Sequence, residues 1–379
     1  MLIYIVMALF SILFFYLDQN VKRRYIIIRN KKFNCISICG FIAIIIPSVV
    51  AGLRDYSVGV DTSGYGKIVF RMALHNNFRD FYNSSNIFVK NVEPIYRIIV
   101  YIITELTSNI FWQFFIIEFI IVYFVYKALY DKKYACFGMF IFYCLFFCFS
   151  LNLMRQTITM AILLYGFRYI KERKIIKYIL VVAISSLITT SALIGIFVYP
   201  LFFICGTDTV NKYGKKNNFF SKHRKMVDIL ILGVTFLVFV FTPKLIEILS
   251  IIKSSYGYQL DNISTDFNIS YAALLMMLIL EFPFFIYYRK ANKKGAIFNF
   301  YTLVFIMATI LWQTVSISQE SYRVSLYLWF YIILAIPDLM KVINKKALLA
   351  VYYSTAGMAY FFLMFVYYNI NSTVPYVLR

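Results

Sequence analysis

Long apolar runs separated by short basic loops constrain the fold of this chain more than any other feature. Residues 33–51 contain no charged side chain, and residues 110–126 contain only Glu118. Runs of about 17–25 apolar residues are long enough to cross a bilayer as helices, while the alternating short segments of a membrane β-barrel are absent. The composition agrees, because 62% of the residues are hydrophobic and the mean hydropathy is +0.75. The sequence therefore predicts an all-α integral membrane protein.

The apolar runs predict a polytopic bundle of about twelve transmembrane helices (10–13) in a single membrane domain, residues 1–379. The predicted spans lie near residues 1–17, 33–51, 110–126, 134–150, 154–170, 178–190, 192–206, 226–243, 269–288, 298–317, 323–337 and 347–368. Residues 95–107 are too short for a clear crossing, and we interpret them as re-entrant or interfacial.

The distribution of Lys and Arg predicts the orientation of the chain. Every second connection between the predicted spans is basic, which places these connections on one side of the membrane. The six loops hold 27 of the 38 basic residues and are 18–32, 127–133, 168–177, 207–225, 289–296 and 338–346. Cytoplasmic loops carry such an excess, so the N-terminus and the loops 52–93 and 244–268 are predicted to be extracytoplasmic. The net charge of +21 then reflects topology and anionic inner-leaflet lipid, and nucleic-acid binding is not needed to explain it.

Several common chemistries are disfavoured. The stretch "GVDTSGYGK" has Tyr65 after Gly64 where a P-loop requires lysine, and it faces the side without ATP. Asp55 and Asp61 have no third acid at the spacing of a calcium loop. The two histidines are predicted on opposite sides, and the cysteines lie in or beside apolar segments. We therefore expect no cofactor and no metal site.

Three arginines lie beside apolar runs on the predicted outer side. Arg54 begins the long loop, and Arg155 and Arg323 each lie at the start of a span. A guanidinium matches phosphate oxygens in a bidentate way, and a helix start adds unpaired N–H groups. Together they suit a diphosphate at the outer membrane surface. Snorkelling to lipid phosphates is the alternative for each arginine taken alone.

Acidic residues near these arginines are candidate proton acceptors. We predict Asp61 as the first candidate base, with Asp55 and Glu93 as the next, and Glu320 as a supporting acid. For each of them an ion pair with a neighbouring arginine is the alternative. Glu118 is an intramembrane acid and a weaker candidate, since a hydrogen bond to another span would also explain it. Aromatic side chains of the outer loop could stack on sugars or form an interfacial belt.

The order of several motifs resembles the landmarks of a known family. "GLRDYSVGVDTSGY", "VEPIYRIIVYI", "SLNLMRQTITMAI", "TTSALIGIFVYPL" and "ESYRVSLYLWF" resemble the EpsG family of exopolysaccharide polymerases, relatives of the Wzy-type repeat-unit polymerases. The supporting residues in the two most specific motifs are Gly59, Thr62, Tyr65, Asn152 and Gln156. One departure is Thr189, which stands where the family often has a histidine.

The resemblance implies an enzyme and its substrate. It implies a GT-C-like membrane glycosyltransferase that joins oligosaccharide repeat units carried on undecaprenyl diphosphate, at the outer face of the bacterial cytoplasmic (inner) membrane, in exopolysaccharide, capsule or O-antigen biosynthesis. A chain-length regulator is a possible partner. Combined with the residues above, Arg54, Arg155 and Arg323 would hold the diphosphate, and a carboxylate would deprotonate the acceptor hydroxyl. A flippase for the same lipid-linked oligosaccharide is the alternative function.

Overall fold

The computed structural model describes residues 1–20, 25–28, 31–34, 36–205, 223–252, 268–295, 297–317 and 322–379. Most of these residues are helical. The α-helices are α1 Leu2–Asn20, α2 Ile38–Leu53, α3 Lys67–His75, α4 Phe78–Tyr82, α5 Ile87–Lys90, α6 Pro94–Leu106, α7 Phe111–Leu129, α8 Ala135–Leu145, α9 Phe147–Asn152, α10 Met154–Lys171, α11 Ile175–Ser186, α12 Gly195–Cys205, α13 Arg224–Val240, α14 Thr242–Ile252, α15 Tyr271–Ile286, α16 Tyr288–Asn292, α17 Ile297–Trp312, α18 Arg323–Trp329, α19 Ile332–Val342 and α20 Lys346–Tyr360.

Short non-α elements complete the described part of the chain. They are the π-helical turns Thr62–Gly66 and Phe361–Tyr367, and the 3-10 turns Thr190–Ile194, Gln313–Ser316 and Ile370–Ser372. A two-stranded antiparallel hairpin also pairs Tyr25–Ile28 (β1) with Lys31–Asn34 (β2). The run of isoleucines in β1 favours a strand. This hairpin lies in the predicted loop 18–32 and takes up the first two residues of the predicted span 33–51, and it is the departure from a purely helical class.

The helices overlap all twelve predicted spans, so the class of helical membrane protein is confirmed. Within the described residues, five helical stretches are both long and apolar enough to cross a membrane: Leu2–Asn20, Phe111–Leu129, Ile297–Ser316, Arg323–Val342 and Lys346–Tyr367. The other predicted spans contain shorter or less apolar helices. Helix α6 occupies the segment that we interpreted as re-entrant or interfacial. Twelve crossings and a GT-C-like arrangement stay predictions from the sequence.

The described helices form two compact units. Unit 1 comprises residues 1–168, 183–190 and 357–379, and unit 2 comprises residues 169–182 and 191–356. The predicted outer loop 52–93 belongs entirely to unit 1, where it folds into the turn Thr62–Gly66 and helices α3 to α5. The second predicted outer loop, 244–268, is described only at its two ends, in unit 2.

Small residues let the helices of unit 1 approach one another closely. Helices α1 and α2 are joined where the Ser11 hydroxyl donates to the Ala43 carbonyl at 2.6 Å. A Cβ placed on Gly52 in α2 would lie 2.6 Å from the ring of Phe111 in α7. Membrane helices associate by such close packing, since the lipid is as apolar as the helix surface.

Buried polar groups of unit 1 find partners on neighbouring helices. The Tyr126 hydroxyl of α7 donates to Asp18 of α1. The Ser150 hydroxyl of α9 lies 3.0 and 2.9 Å from the two carboxylate oxygens of Glu118 in α7. A polar group in a membrane interior is costly unless it is satisfied. The hydrogen bond between α9 and α7 therefore explains why a carboxylate is tolerated at position 118.

Unit 2 is organised around α17, whose side chains are largely buried. The Thr309 hydroxyl donates to the buried carboxylate of Glu281 in α15 at 2.8 Å. Closer to the start of α17, the Tyr301 hydroxyl donates to Asp338 of α19 at 2.9 Å. As in unit 1, intrahelical backbone bonds are supplemented by side-chain bonds between helices.

The contact between α2 and α7 gives a testable prediction. Replacing Gly52 with alanine should lower the free energy of unfolding by about 1–3 kcal/mol, because overpacking at a closed contact forces the ring of Phe111 to move. Gly233 in α13 is the matched control, since a Cβ there meets no atom within 4 Å. Gly233→Ala should leave the protein as stable or slightly more stable. Thermal unfolding in detergent measures both, and equal midpoints for the two variants would contradict the packing account.

Candidate functional site

The loop that follows α2, residues 54–66 (the entry loop), makes a tight turn against the junction of α9 and α10. Gly59 has a φ of +94°, a conformation that side chains disfavour. A Cβ there would lie 2.9 Å from the Thr62 hydroxyl and 3.2 Å from the Leu151 carbonyl. The Thr62 hydroxyl itself donates to that carbonyl at 3.3 Å. Glycine is therefore required by both conformation and space.

Asn152 joins the two most specific sequence motifs. Its side-chain oxygen accepts from the backbone N–H of Asp61 at 2.8 Å. Its backbone carbonyl lies 3.5 Å from the Tyr65 hydroxyl. Asp61 is half-buried, whereas Asn152 is buried. The first candidate base is thus held at its backbone by a residue from a distant part of the chain.

Arg155 forms an ion pair with Glu93, two residues that the sequence analysis assigned to separate roles. Arg155 lies one residue into α10, and Glu93 lies immediately before Pro94 at the start of α6. The guanidinium donates to the Glu93 carboxylate at 2.5 Å and to the Asn91 carbonyl at 3.2 Å. The central carbon of the guanidinium, Cζ, also lies 4.7 Å from the centre of the Tyr65 ring. Glu93 therefore forms the ion pair with an arginine that the sequence analysis gave as the alternative to a role as proton acceptor.

Thr190 completes this cluster and was not predicted as a site residue. Its backbone N–H donates to Glu93 at 3.1 Å, and its hydroxyl lies 3.4 Å from the same oxygen. Thr190 follows Thr189, the position at which the family often has a histidine. The only sequence signal was its place in "TTSALIGIFVYPL". The structure thus brings residues of four of the five motifs together in unit 1, to which the fourth motif contributes only Thr189 and Thr190.

The Arg155–Glu93 pair is partly open to its surroundings. The side chain of Arg155 is 21% exposed, and that of Glu93 is 11% exposed. The neighbouring groups fix the orientation of the Arg155 guanidinium, and the exposed part of that guanidinium is still accessible to a ligand. The cluster can therefore present an oriented positive charge to an anionic group.

Arg54 differs from Arg155 because it is buried, with only 1% of its surface exposed. Its guanidinium lies over the ring of Phe114 at 4.2 Å and 3.2 Å from the sulfur of Met154. Within the described residues, no carboxylate forms an ion pair with it, and its Nε has no hydrogen-bond partner. Direct contact between Arg54 and a diphosphate stays a prediction.

Asp55 is held by hydrogen bonds that make it a poor proton acceptor. Its carboxylate accepts from the backbone N–H of Ser57 at 3.0 Å and from the Ser57 hydroxyl at 2.8 Å. These hydrogen bonds hold the pKa of Asp55 below its usual value, and the bond from the Ser57 backbone has the larger effect. A carboxylate with a lowered pKa is a weaker base, so these bonds make Asp55 less suited to the role predicted for it.

The other predicted site residues lie elsewhere or outside the described residues. Arg323 begins α18 in unit 2 and is half-buried. Glu320 lies in residues 318–321, which the structure does not describe. Gln156 follows Arg155 in α10 and is buried. In the parts of the chain that are described, no three His, Cys, Asp or Glu side chains are placed to hold a metal ion.

The aromatic side chains of the outer loop divide into two groups. Phe81 is fully buried and stacks on Tyr101, with their ring centres 6.0 Å apart. It belongs to the core and cannot bind a sugar. Phe78 is 44% exposed, and Tyr65 is half-buried beside Arg155. Sugar stacking is geometrically open to half-buried or exposed rings such as these two.

The turn at Gly59 gives a testable prediction. Gly59→Ala should lower the free energy of unfolding by about 1–3 kcal/mol, because it adds backbone strain and a steric contact. Gly64→Ala in the same loop is the control, since a Cβ there meets nothing within 4 Å. Amide hydrogen exchange of a peptide spanning residues 55–66 should accelerate in the first variant only. Equal exchange in both variants would show that the turn does not depend on glycine at position 59.

Comparison with known proteins gives one match. The family model described as "EpsG family" matches residues 37–378, a range that contains the entry loop, the Arg155–Glu93 pair and Arg323. No curated protein matches the chain, and no solved structure matches it. The family match covers most of the chain and agrees with the motifs that the structure brings together in unit 1. The protein belongs to the EpsG family.

Proposed function

We propose that this protein is a membrane glycosyltransferase that polymerises oligosaccharide repeat units carried on undecaprenyl diphosphate. The EpsG family suggests a polysaccharide polymerase. The observation that carries the finer proposal is the pairing of Arg155 with Glu93 at 2.5 Å, on a partly exposed surface with Tyr65 and the loop of Asp61. A fixed cation beside a carboxylate-bearing loop suits transfer from a diphosphate to a hydroxyl.

Arg155 is the residue that we assign to the donor diphosphate. In the reaction, the acceptor hydroxyl oxygen forms a bond to the anomeric carbon of the donor sugar. The bond from that carbon to the diphosphate oxygen breaks, and the electron pair leaves with undecaprenyl diphosphate. A preorganised guanidinium stabilises the negative charge that develops on the leaving group.

Glu93 and Tyr65 are assigned to positioning Arg155. The Glu93 carboxylate accepts from Arg155 and from the backbone N–H of Thr190, so its oxygens are already engaged with donors. The Tyr65 ring lies 4.7 Å from the guanidinium carbon and restricts its tilt. Together they fix the direction in which the charge is presented, which lowers the reorganisation needed during reaction.

Asp61 is assigned as the base that takes the proton of the acceptor hydroxyl. Its backbone is fixed by Asn152 at 2.8 Å, and the residue is half-buried. Asp55 has a lowered pKa, and Glu93 is engaged by Arg155. We therefore assign the role of general base to Asp61, the acid that the sequence analysis predicts first.

The place of reaction follows from the predicted topology. The entry loop, Asp61 and Glu93 belong to the outer loop predicted from the basic residues, so we assign the reaction to the outer face of the bacterial cytoplasmic membrane. Arg54 and Arg323 are further diphosphate contacts predicted from the sequence. The lipid-linked oligosaccharide is the substrate, and a chain-length regulator is an expected partner.

Variants of Arg155 test the role of the guanidinium. In a strain that lacks the native gene, Arg155→Lys should lower the yield of long chains about 100-fold or more, a loss typical of removing one preorganised electrostatic contact. Lysine keeps the charge but loses the planar, bidentate geometry. Arg71→Ala is the control, because Arg71 is an exposed arginine of the same outer loop, and it should support normal chain length.

The same strain separates a polymerase from a flippase. Without polymerase activity, single repeat units on their lipid carrier still reach the outer leaflet, where an externally added glycosidase can cleave them. Accumulation of the carrier in the inner leaflet would instead indicate a flippase. Normal chain length with membrane-inserted Arg155→Lys would contradict the assigned role of Arg155.

Asp61→Asn tests the base. The substitution removes the proton acceptor but keeps the backbone N–H that donates to Asn152, so the turn should be preserved. We expect the rate of polymerisation to fall by about 10²–10⁴-fold, the usual contribution of a general base. Asp80→Asn is the matched control, because Asp80 is an exposed acid of the same loop. A rate within twofold of wild type for Asp61→Asn would exclude Asp61 as the base.

A further inference from the structure

We propose that Asn371 is a positioning residue for the glycosyl transfer reaction and that it acts on Asp61 through Asn152. Asn371 belongs to residues 369–379, here called the anchor segment, which follows the last π-helical turn of unit 1. No sequence motif pointed to this segment. The inference rests on the proposed function of Asp61.

The anchor segment pairs with the start of the entry loop through its backbone. The Asp55 N–H donates to the Val377 carbonyl at 2.9 Å, and the Arg379 N–H donates to the Leu53 carbonyl at 3.0 Å. This is antiparallel pairing around Arg54. The non-helical backbone on both sides thereby satisfies its hydrogen bonds at the place where α2 ends.

Two tyrosines attach the anchor segment to the helices of unit 1. The Tyr376 hydroxyl donates to the Val50 carbonyl of α2 at 2.6 Å. The Tyr4 hydroxyl of α1 donates to the Thr373 carbonyl at 2.6 Å. The segment is therefore fixed to the same helix from which the entry loop emerges.

A chain of hydrogen bonds runs from the anchor segment to Asp61. The Asn371 side-chain oxygen accepts from the Asn152 side-chain N–H₂ at 3.0 Å. This bond directs the Asn152 side-chain oxygen to the Asp61 N–H, at 2.8 Å. One residue along the segment, the Ser372 carbonyl accepts from the Gly59 N–H at 3.0 Å. The turn that carries Asp61 is thus held from both sides.

The backbone of the anchor segment is strained at this point. Asn369, Asn371 and Ser372 have φ values of 46°, 68° and 50°, in the left-handed region that is uncommon for residues other than glycine. Such conformations cost free energy and persist only where the surroundings determine them, often at functional sites. Here the left-handed turn is what directs the Asn371 side chain towards Asn152.

The geometry predicts a different outcome for each of three substitutions. Asn371→Gly relaxes the strain and removes the side-chain oxygen, so it should lower kcat about tenfold with KM for the lipid-linked donor changed less than twofold. Asn371→Asp keeps an acceptor oxygen and tolerates the left-handed conformation, so it should restore kcat to within threefold of wild type. Asn369→Gly is the matched control, because Asn369 is exposed and equally left-handed, and it should keep the wild-type kcat.

A double variant tests whether Asn371 acts through Asn152. If it does, Asn152→Ala combined with Asn371→Gly should have the same kcat as Asn152→Ala alone, whereas independent contributions would multiply. Amide hydrogen exchange of a peptide spanning residues 58–66 provides a reading that does not depend on activity. Exchange should accelerate in Asn371→Gly and not in Asn369→Gly.

The outcomes separate this inference from the proposed function. The assay uses purified full-length protein in vesicles with the lipid-linked repeat unit isolated from a polymerase-deficient strain. If Asn371→Gly keeps the wild-type kcat and the wild-type exchange of residues 58–66, the positioning role is overturned while the proposed function stands. If wild type and Asp61→Asn polymerise equally, the proposed base is wrong, and the exchange measurement alone decides whether Asn371 fixes the turn.

Discussion

Buried backbone that leaves a helix must find hydrogen-bond partners within the protein, and the arrangement of unit 1 depends on this constraint. Helix α2 ends at Leu53, and the extended backbone after it pairs with the anchor segment. The turn at Gly59 is then satisfied by the same segment and by the junction of α9 and α10. The candidate site is the surface that this pairing builds.

The two arginines of unit 1 show how burial divides similar residues into different roles. Arg54 is enclosed by Phe114 and Met154 and is 1% exposed. Arg155 is 21% exposed and is oriented by Glu93. A buried guanidinium contributes to local organisation and electrostatic potential, whereas a partly exposed and oriented one can also contact a ligand. The proposed reaction therefore assigns the leaving diphosphate to Arg155.

The class of helical membrane protein could be predicted from the sequence because the length of an apolar run is a local feature. The predicted spans overlap helices. The contact between Asp61 and Asn152, which belong to the two most specific motifs, is a finding of the structure. The sequence offered an ion pair with an arginine as an alternative for Glu93, but it could not identify Arg155 as the partner or Thr190 as a member of the cluster, since their separations along the chain give no local pattern. Asn371 lies in no motif, and only the backbone path brings it beside Asn152. The burial of Arg54 could not be predicted from the sequence either, because it depends on packing between helices.

The most direct measurement of the central claim is the stoichiometry of the reaction in vesicles that contain only the purified protein and the lipid-linked repeat unit. The account predicts that one undecaprenyl diphosphate is released for each new glycosidic linkage, with no other nucleotide or sugar donor added. Movement of the lipid-linked unit across the bilayer without formation of any linkage would contradict it.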